Sequence, residues 1–387
     1  MKKFKVPCDI YYEDGAINYL ESLKCSKVFI VTDGVMVKIG MLDKIKEIFE
    51  KQHIDYKIFS EIEPEPSLEV VTKGLEIFSE YGTETLIAVG GGSVIDASKA
   101  IIYLLKEMLK KTSSEIKNHT HFIAIPTTSG TGSEVSSYAV ITDKKLHKKI
   151  ALQSEEMYPD VAILDCDFTK TVPPSVTADT GMDVLTHAIE AFVSKRGSDC
   201  TSALAKMAIE YVFKYIERVY NTGMDKISRE KMHSASCMAG IAFENSSLGI
   251  NHSMAHILGA KFKIPHGKAN AILLPYVIKY NSGLFDEKEY ISFDAAEKYS
   301  DIARLVGLPQ ANIKEGVIML IKAIKVLNRK LNIPICISEL GIDENEFSNS
   351  LKEMCKVAME DVCTQGNPRT PNEDDICGIF KKAYYGK

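Results

Sequence analysis

Short apolar runs alternate with longer mixed stretches through the first half of the chain. Five of these runs are nearly continuous in apolar residues and end in Gly, Asp, Thr or Pro; they span 27–33, 55–59, 85–92, 121–128 and 161–165. Such runs are typical of strands in a parallel sheet that is covered on both faces. The stretches between them favour helices, at 41–52, 68–82 and 94–109. This alternation predicts a doubly wound α/β domain.

The pattern changes in the second half. SYAVITD and KIALQ flank a polar DKKLHK turn, which predicts a β-hairpin before the last strand. Beyond about residue 178 the strand pattern stops, and the apolar residues follow a helical period over 177–194, 202–219 and 228–245. Pro173-Pro174 interrupts regular structure and marks a boundary. We therefore predict an α/β domain over 1–178 and an all-α domain over 179–387.

Composition and charge exclude several classes of protein. The chain has 387 residues, 45% of them hydrophobic and 26% charged, which is ordinary for a globular protein and excludes a disordered or fibrous one. A formal net charge of −5 argues against nucleic acid or an anionic membrane as partner. No apolar run is long enough to span a bilayer, and the N-terminus lacks the apolar core of a signal peptide. We expect neither nucleic acid nor membrane among its partners.

The cysteine pattern bears on the compartment. There are nine cysteines, an odd number, and none forms a CxxC pair. This pattern favours reduced thiols in a cytosol-like compartment over a disulfide framework or a zinc ribbon.

Three predicted strand ends carry groups that suit a nucleotide, since ligands of open α/β sheets bind at the carboxyl ends of strands. Gly90–Ser93 follows one strand and opens a helix, where backbone N–H groups and the helix dipole would stabilise a diphosphate. Residues 126–134 form a loop rich in hydroxyls and glycines. Asp33 ends a third strand and would accept both ribose hydroxyls. Taken alone, the first two are explained as well by a tight turn and a Ser/Thr/Gly loop, and Asp33 is better explained as a helix cap. Together, however, the three favour a dinucleotide.

A second group of residues suits a metal ion. Asp183 and His187 are four residues apart in an apolar helical stretch, so their side chains share one face. A second apolar stretch contains three histidines within a span of 15 residues: His252, His256 and His266. A simple Asp–His pair is the alternative for the first two. The five residues supply one ligand more than a four-coordinate site needs, and their chemistry suits Fe(II) or Zn(II).

Four segments together resemble the iron-dependent (group III) alcohol dehydrogenase family: GGGSVIDASKA, PTTSGTGSEVS, TGMDVLTHAIEAFVS and HSMAHILGAKFKIPHGKANAILLP. The resemblance runs from about Tyr12 to Arg369. Its details are most similar to short-chain alcohol and aldehyde reductases, including the propanol dehydrogenases of bacterial microcompartments. It implies a dinucleotide-binding α/β domain followed by an all-helical metal-binding domain, with the active site in the cleft between them.

The resemblance also implies roles for individual residues. The metal ligands it implies are Asp183, His187, His252 and His266. His256 would instead face the nicotinamide and the substrate, as a proton relay. The implied coenzyme contacts are Asp33, Gly91, Gly92, Ser93, Asp96, Thr127, Thr128, Thr131 and Lys149. Phe243 and Cys363 would line the substrate pocket, and Gln365 departs from the family pattern because relatives often carry a smaller residue there.

We therefore predict a metal-dependent alcohol dehydrogenase or aldehyde reductase. It would transfer hydride between NAD(H) and a short-chain primary alcohol or aldehyde, with one divalent metal acting as a Lewis acid. Fe(II) is the expected ion and Zn(II) the alternative. NADH is expected over NADPH because Asp33 would repel a 2′-phosphate.

Other functions stay open at this point. One is a glycerol or propanediol-type polyol dehydrogenase of the same fold; a dehydroquinate synthase is disfavoured by the six scattered arginines. A non-catalytic metal- and dinucleotide-binding structural or sensor protein is disfavoured because buried polar groups are costly to keep. The family resemblance implies a homo-oligomer, dimer or larger, in the cytoplasm, with a microcompartment as the alternative location.

Overall fold

The computed structural model describes residues 3–6, 8–111, 119–145, 148–284 and 293–386. Its contacts divide the chain into two compact units, Lys5–Val172 and a second formed by Met1–Phe4 together with Pro173–Lys387. The first is α/β and the second, as far as it is described, is helical. The predicted fold class is thereby confirmed, while the domain limits 1–178 and 179–387 stay a prediction.

The first unit contains eight strands among the described residues. They are β1 Asp9–Tyr12, β2 Lys27–Asp33, β3 Asp55–Ile62, β4 Thr85–Gly90, β5 His121–Pro126, β6 Tyr138–Asp143, β7 Lys148–Gln153 and β8 Val161–Leu164. Six of them form one parallel sheet in the order β1-β8-β5-β4-β2-β3. β6 and β7 pair antiparallel, which confirms the predicted hairpin; residues 146–147 of its predicted turn lie outside the described residues.

The sheet explains the continuous apolar runs. Successive residues of a strand point to opposite faces, and in β2 both sets are buried. Phe29 and Val31 join the core on one face, whereas Val28 and Ile30 join the core on the other. The helices of this unit are α1 Gly34–Lys38, α2 Asp43–Lys51, α3 Leu68–Tyr81 and α4 Gly92–Lys111. A strand covered on both faces is apolar along its buried middle, as β2 is from Val28 to Val31.

Strand order also places a crevice. From β2 the chain moves outward to the edge strand β3, and it then returns to β4 on the other side of β2. The order of strands therefore reverses between β2 and β4. In open α/β sheets this switch point is where ligands bind, beyond the carboxyl ends of the strands.

The second unit is a set of packed helices. Over the described residues they are α5 Pro174–Val193, α6 Asp199–Asn221, α7 Lys226–Ser246, α8 Ile250–Phe262, α9 His266–Asn281, α10 Phe293–Leu305, α11 Ile313–Lys330, α12 Glu344–Glu360 and α13 Glu373–Tyr385. α5 begins at Pro174, where the missing N–H of proline costs nothing. α5 is buried along most of its length and contributes to one apolar core with α6 to α9. None of the helices in the described ranges could cross a membrane.

One expectation about the cysteines is wrong. Cys355 of α12 and Cys377 of α13 form a disulfide, with their Cα atoms 5.6 Å apart. The other seven cysteines, all among the described residues, form no disulfide. The sequence pattern did not reveal the pair because the two residues are 22 positions apart and meet only when α12 packs against α13.

Candidate active site

The predicted diphosphate turn lies against the hydroxyl-rich loop. Gly91 and Gly92 follow β4, and the loop begins at Thr127, whose N–H donates to the carbonyl of Gly90 over 3.0 Å. A Cβ on Gly92 would lie 2.7 Å from Cγ2 of Thr131, and one on Gly91 would lie 3.4 Å from Oγ1 of Thr128. Gly92 therefore has no room for a side chain. The structure brings these five predicted coenzyme residues into one patch.

Asp33 ends β2 on the other side of the switch point. Its Oδ1 accepts hydrogen bonds from the N–H groups of Val35 and Met36, at 2.8 and 3.0 Å, and so caps α1. The helix-cap interpretation of Asp33 is thus correct. It does not conflict with the coenzyme role, since both of these bonds use Oδ1 and the carboxylate has a second oxygen.

Asp96 and Lys99 of α4 form hydrogen bonds with residues at and beyond the end of the hydroxyl-rich loop. Asp96 accepts from Ser133 Oγ over 2.6 Å and from the N–H of Val140 over 3.0 Å. The buried Lys99 Nζ donates to Ser133 Oγ, Ser136 Oγ and the carbonyl of Tyr138, at 2.9 to 3.2 Å. These two α4 side chains therefore hold the end of the hydroxyl-rich loop and the segment that follows it in place. The coenzyme contact predicted for Asp96 stays a prediction.

Ser93 and Lys149 meet at a third residue, Glu65, in the connection between β3 and α3. The N–H of Glu65 donates to Ser93 Oγ over 3.4 Å, and its carboxylate is 2.6 Å from Lys149 Nζ. This ion pair is exposed, so it contributes little to stability. Ser93 and Lys149, two of the nine predicted coenzyme residues, are thus connected through Glu65.

The metal candidates assemble in the second unit. Asp183 and His187 lie one turn apart on α5, and His252 lies on α8; all three are buried. His266 is the first residue of α9. A Cβ on Gly267 would be 2.0 Å from the carbonyl oxygen of Asp179, so only glycine lets the start of α9 lie against α5. This close approach puts His266 beside Asp183.

Three of the four predicted ligands converge on one point. Oδ1 of Asp183 is 3.7 Å from Nε2 of His252 and 3.5 Å from Nε2 of His266. The ligand atoms of these three residues all lie within 4.8 Å of one another. The ring of His187 stacks on that of His252, with centroids 4.4 Å apart. His187 is therefore adjacent to the cluster, although it does not belong to this three-atom set.

Two observations fit a cation at this point. Nε2 of His252 is buried and accepts or donates no hydrogen bond among the described residues. A cation about 2.1 Å from two donors at a tetrahedral angle holds them about 3.4 Å apart, close to the observed 3.5 and 3.7 Å. One carboxylate and neutral imidazoles are ligands that Fe(II) and Zn(II) both accept. The residues present thus fit a divalent metal ion.

Protonation states follow from the same contacts. Burial alone would raise the pKa of the Asp183 carboxyl, but His187, His266 and His252 hold that pKa well below its usual range. Burial would lower the pKa of His252, yet the neighbouring carboxylates of Asp183 and Glu190 raise it to about 9. Asp183 is therefore ionised at neutral pH, and a cation must displace a proton from His252 to bind it.

A layer of polar side chains surrounds these ligands. Asn270 Nδ2 donates to Oδ1 of Asp183 over 2.7 Å, and Asn251 Nδ2 donates to Oδ1 of Asn270 over 2.9 Å. Glu190 on α5 is 2.5 Å from Nδ1 of His252 and also accepts from the N–H of Asn251. All three partners are buried. Such outer contacts fix the orientation of ligating side chains.

His256 is placed differently from the ligands. Its side chain is 43% exposed, and its Nδ1 is 2.8 Å from Oδ2 of Asp361. Its ring stacks on that of His266, with centroids 5.2 Å apart. Phe243 packs against His187 with ring centroids 4.7 Å apart, and Cys363 donates its backbone N–H to Asp361. Both predicted substrate-pocket residues therefore border the histidine cluster.

Four residues around the cluster were not predicted from the sequence: Glu190, Asn251, Asn270 and Asp361. For Glu190 there was a signal, since it follows Asp183 by seven residues and His187 by three, the helical spacing of one face. Asp361 has no such signal, because it reaches His256 from a distant part of the chain. The two asparagines likewise act across helices.

Comparisons with known proteins agree with this geometry. The model of the iron-containing alcohol dehydrogenase family matches residues 7–166, and the model of its C-terminal domain matches residues 177–384. The glycine and threonine patch around Gly92 lies in the first of these regions, and the histidine cluster lies in the second.

Curated relatives cover the whole chain. It is 43% identical to an NADPH-dependent butanol dehydrogenase of Clostridium saccharobutylicum, over 100% of this chain and 99% of that protein. It is 37% identical to the 1-propanol dehydrogenase of Salmonella typhimurium, over 99% of this chain and 100% of that one. It is also 43% identical to the aldehyde-alcohol dehydrogenase of Streptococcus pneumoniae serotype 2, but it spans only 46% of the length of that protein.

Solved structures are similar over the same extent. An iron-containing alcohol dehydrogenase from Thermococcus thioreducens matches with a TM-score of 0.89 and 33% identity, covering 100% of both chains. A sulfoacetaldehyde reductase from Bifidobacterium kashiwanohense, in complex with NAD+, matches with a TM-score of 0.85 and 27% identity, also over 100% of both. With a metal-type cluster, a switch-point crevice and both family models matched, the chain belongs to the iron-containing alcohol dehydrogenase family and is an oxidoreductase that interconverts alcohols and aldehydes.

Proposed function

We propose that this protein transfers hydride between NAD(H) and a short-chain substrate. It would reduce aldehydes with NADH or, in the opposite direction, oxidise primary alcohols. The observation that carries the proposal is the convergence of Asp183, His252 and His266 beside His187. The butanol and propanol specificities of two relatives support a short aliphatic substrate.

Asp183, His187, His252 and His266 would hold the divalent metal. When bound there, the ion supplies Lewis-acid polarisation of the substrate oxygen, and the nicotinamide supplies or accepts the hydride. The protein fixes the ligands through Asn270 and Glu190, which are bonded to Asp183 and His252. Fe(II) is the proposed ion because the family is iron-containing. Metal analysis after anaerobic purification tests this, and zinc alone with full activity would contradict it.

His256 would move the proton. It borders His266, it is half exposed, and Asp361 holds its Nδ1. An imidazole with one fixed nitrogen and one open edge suits proton exchange between a bound alcohol and water. In the direction of alcohol oxidation, His256 accepts the hydroxyl proton and releases it to solvent. Phe243 and Cys363 would limit the space for the carbon chain.

The NAD-side residues would hold the coenzyme at the switch point. The glycines of the β4–α4 turn offer backbone N–H groups for a diphosphate, and Asp33 offers a carboxylate oxygen for the ribose. NADH is proposed over NADPH because a 2′-phosphate would meet the negative charge of Asp33. The NADPH dependence named for the Clostridium relative makes this preference the sharpest point to measure.

The deciding experiment is a matrix of substrate and metal. NADH consumption is followed with acetaldehyde, propanal, butanal, a glyoxal-type and a sulfonated aldehyde, after chelation and after return of Fe(II), Zn(II) or Co(II). Activity is expected with the linear aldehydes and only with metal. Full activity in the chelated protein, or oxidation of glycerol in preference to any linear alcohol, would contradict the proposal.

Cytoplasmic location, or location in a microcompartment, and assembly into a homo-oligomer stay proposals from family likeness. Size-exclusion chromatography with light scattering tests the second, and a monomeric mass would contradict it.

A further inference from the structure

The two histidines of α8 form one feature with an unexplained difference. His252 and His256 are four residues apart on the same helix, so they share one face. The side chain of His252 is 1% exposed, whereas that of His256 is 43% exposed. Helix position alone does not determine which of two like side chains binds a cation and which exchanges protons.

Each histidine is held at Nδ1 by a carboxylate from another element. Glu190 of α5 is 2.5 Å from Nδ1 of His252, and Asp361, between α12 and the next turn, is 2.8 Å from Nδ1 of His256. An ionised carboxylate only accepts hydrogen bonds, so in each pair Nδ1 carries the hydrogen. In the neutral ring the lone pair is then on Nε2.

The first pair is closed to water. Glu190 is 4% exposed, and its second oxygen accepts from the N–H of Asn251 over 2.8 Å, so both of its oxygens are used. A Cβ on Gly249 would lie 2.8 Å from Oε1 of Glu190, so the glycine at this position is required for the carboxylate to reach α8. The result is that Nε2 of His252 is 3.7 Å from Oδ1 of Asp183.

The second pair is open to water. Asp361 is 19% exposed, and its other oxygen accepts from the backbone N–H of Cys363 over 2.8 Å. It ends α12 and caps the short 3₁₀ helix Val362–Gly366, so its position is set by the backbone. The fixed nitrogen of His256 is thus held, while the rest of its ring remains partly exposed to solvent.

We propose that Glu190 and Asp361 are positioning residues that divide the two α8 histidines between different tasks. Glu190 orients His252 as a metal ligand, and Asp361 orients His256 for proton transfer. This inference rests on the proposed function, since it takes the metal site and the proton relay as given.

The test compares Glu190→Gln with Asp361→Asn, with Glu360→Gln as the matched control on an exposed neighbouring carboxylate. Metal affinity is measured by chelator competition, without any turnover, and the pH profile of kcat is measured in metal-saturated protein. Glu190→Gln should weaken metal binding about 10- to 100-fold. Asp361→Asn should leave metal affinity within about twofold but lower kcat at least about 10-fold, with an altered pH profile.

Two outcomes would overturn the inference. One is wild-type metal affinity in Glu190→Gln, and the other is an equal loss of metal affinity in Asp361→Asn. If Glu190→Gln does not fold by circular dichroism, Gly249→Ala replaces it, since the added methyl displaces the Glu190 carboxylate without removing its charge. His252→Ala separates this inference from the proposed function, because retained metal in that variant contradicts the ligand set itself.

Discussion

The coenzyme side and the metal side of this protein are built on different principles. In the first unit, the candidate site consists of glycines and hydroxyls at strand ends, and the close contact of Gly92 with Thr131 is a matter of backbone space. In the second, it consists of buried ionisable side chains, and Asp183 is held by imidazoles and amides. A backbone site tolerates changes of side chain but not of volume, whereas a side-chain site depends on each residue being present.

The largest expected effect is in the metal site. His266→Ala should remove the bound metal and lower turnover roughly 1,000-fold or more, because one of the four proposed metal ligands is lost. NADH binding, measured by fluorescence titration, should change little, since His266 is not among the predicted coenzyme contacts. His119→Ala is the control, an exposed histidine paired with Asp160. Retention of stoichiometric metal in His266→Ala would contradict the proposal that His266 is a metal ligand.

The next effect concerns coenzyme choice. Asp33→Gly should raise the ratio of kcat/KM for NADPH over NADH by about 100-fold, because a like charge near the 2′-phosphate is removed. Asp33 also caps α1, and a lost cap costs about 1 kcal/mol. Asp33→Ser keeps a capping oxygen without the charge and serves as the control for that loss. A wild-type enzyme that already prefers NADPH would refute this role for Asp33.

A smaller effect tests the backbone character of the coenzyme side. Gly92→Ala should raise the KM for NADH about 10-fold with unchanged metal content, because the new Cβ meets the methyl of Thr131 at 2.7 Å. Thr131→Ser, added to that variant, removes this methyl and should restore part of the affinity. An unchanged KM in Gly92→Ala, or a loss that Thr131→Ser does not relieve, speaks against a crowded turn.

The last prediction concerns stability rather than activity, and it contrasts two buried carboxyls. Asp183 has imidazole neighbours, whereas burial raises the pKa of Glu134 to about 7, with Lys99 opposing this only in part. An unfolded glutamate ionises near pH 4.5, so the folded state binds more protons between about pH 4.5 and 7. The free energy of unfolding should therefore fall as pH rises through this window, by on the order of 3 kcal/mol.

Urea unfolding at about pH 5 and about pH 8 measures this change. Glu134→Gln does not titrate, so its unfolding free energy should fall less between the two pH values than that of the wild type. Glu76→Gln, at an exposed position of α3, should behave as the wild type does. Equal pH dependence in all three proteins would show that Glu134 ionises normally.

The fold could be predicted from sequence where burial imposes a period. The continuous apolar runs of β2 and β4 gave those strands to within two residues, because both faces of the sheet are covered. β1 was missed, since it has only four residues and lies at the sheet edge with most of them exposed. The helices beyond α9 were expected only as a group, because their amphipathic pattern carries no marker of where each one ends.

For the site, local spacing predicted pairs of functional residues on the same helix, but it did not predict contacts between side chains of different helices. Asp183 and His187 were found from their spacing, and so were His252 and His256. The hydrogen bonds of Glu190 and Asp361, like the disulfide between Cys355 and Cys377, join residues 22 to 105 positions apart. Such contacts depend on helix packing, for which a single sequence has no periodic signal.

The close contact at Gly267 affects which property of the protein a substitution between α5 and α9 will change first. Because α9 lies against the backbone of α5 at this residue, the spacing of His266 and Asp183 is inherited from the docking of two helices. A core substitution that separates these helices by a fraction of an ångström leaves most of the apolar burial intact, yet it alters the distance between two donors. Harmful changes along this seam should therefore be detected as a poorly retained ion well before they are detected as a lower melting temperature.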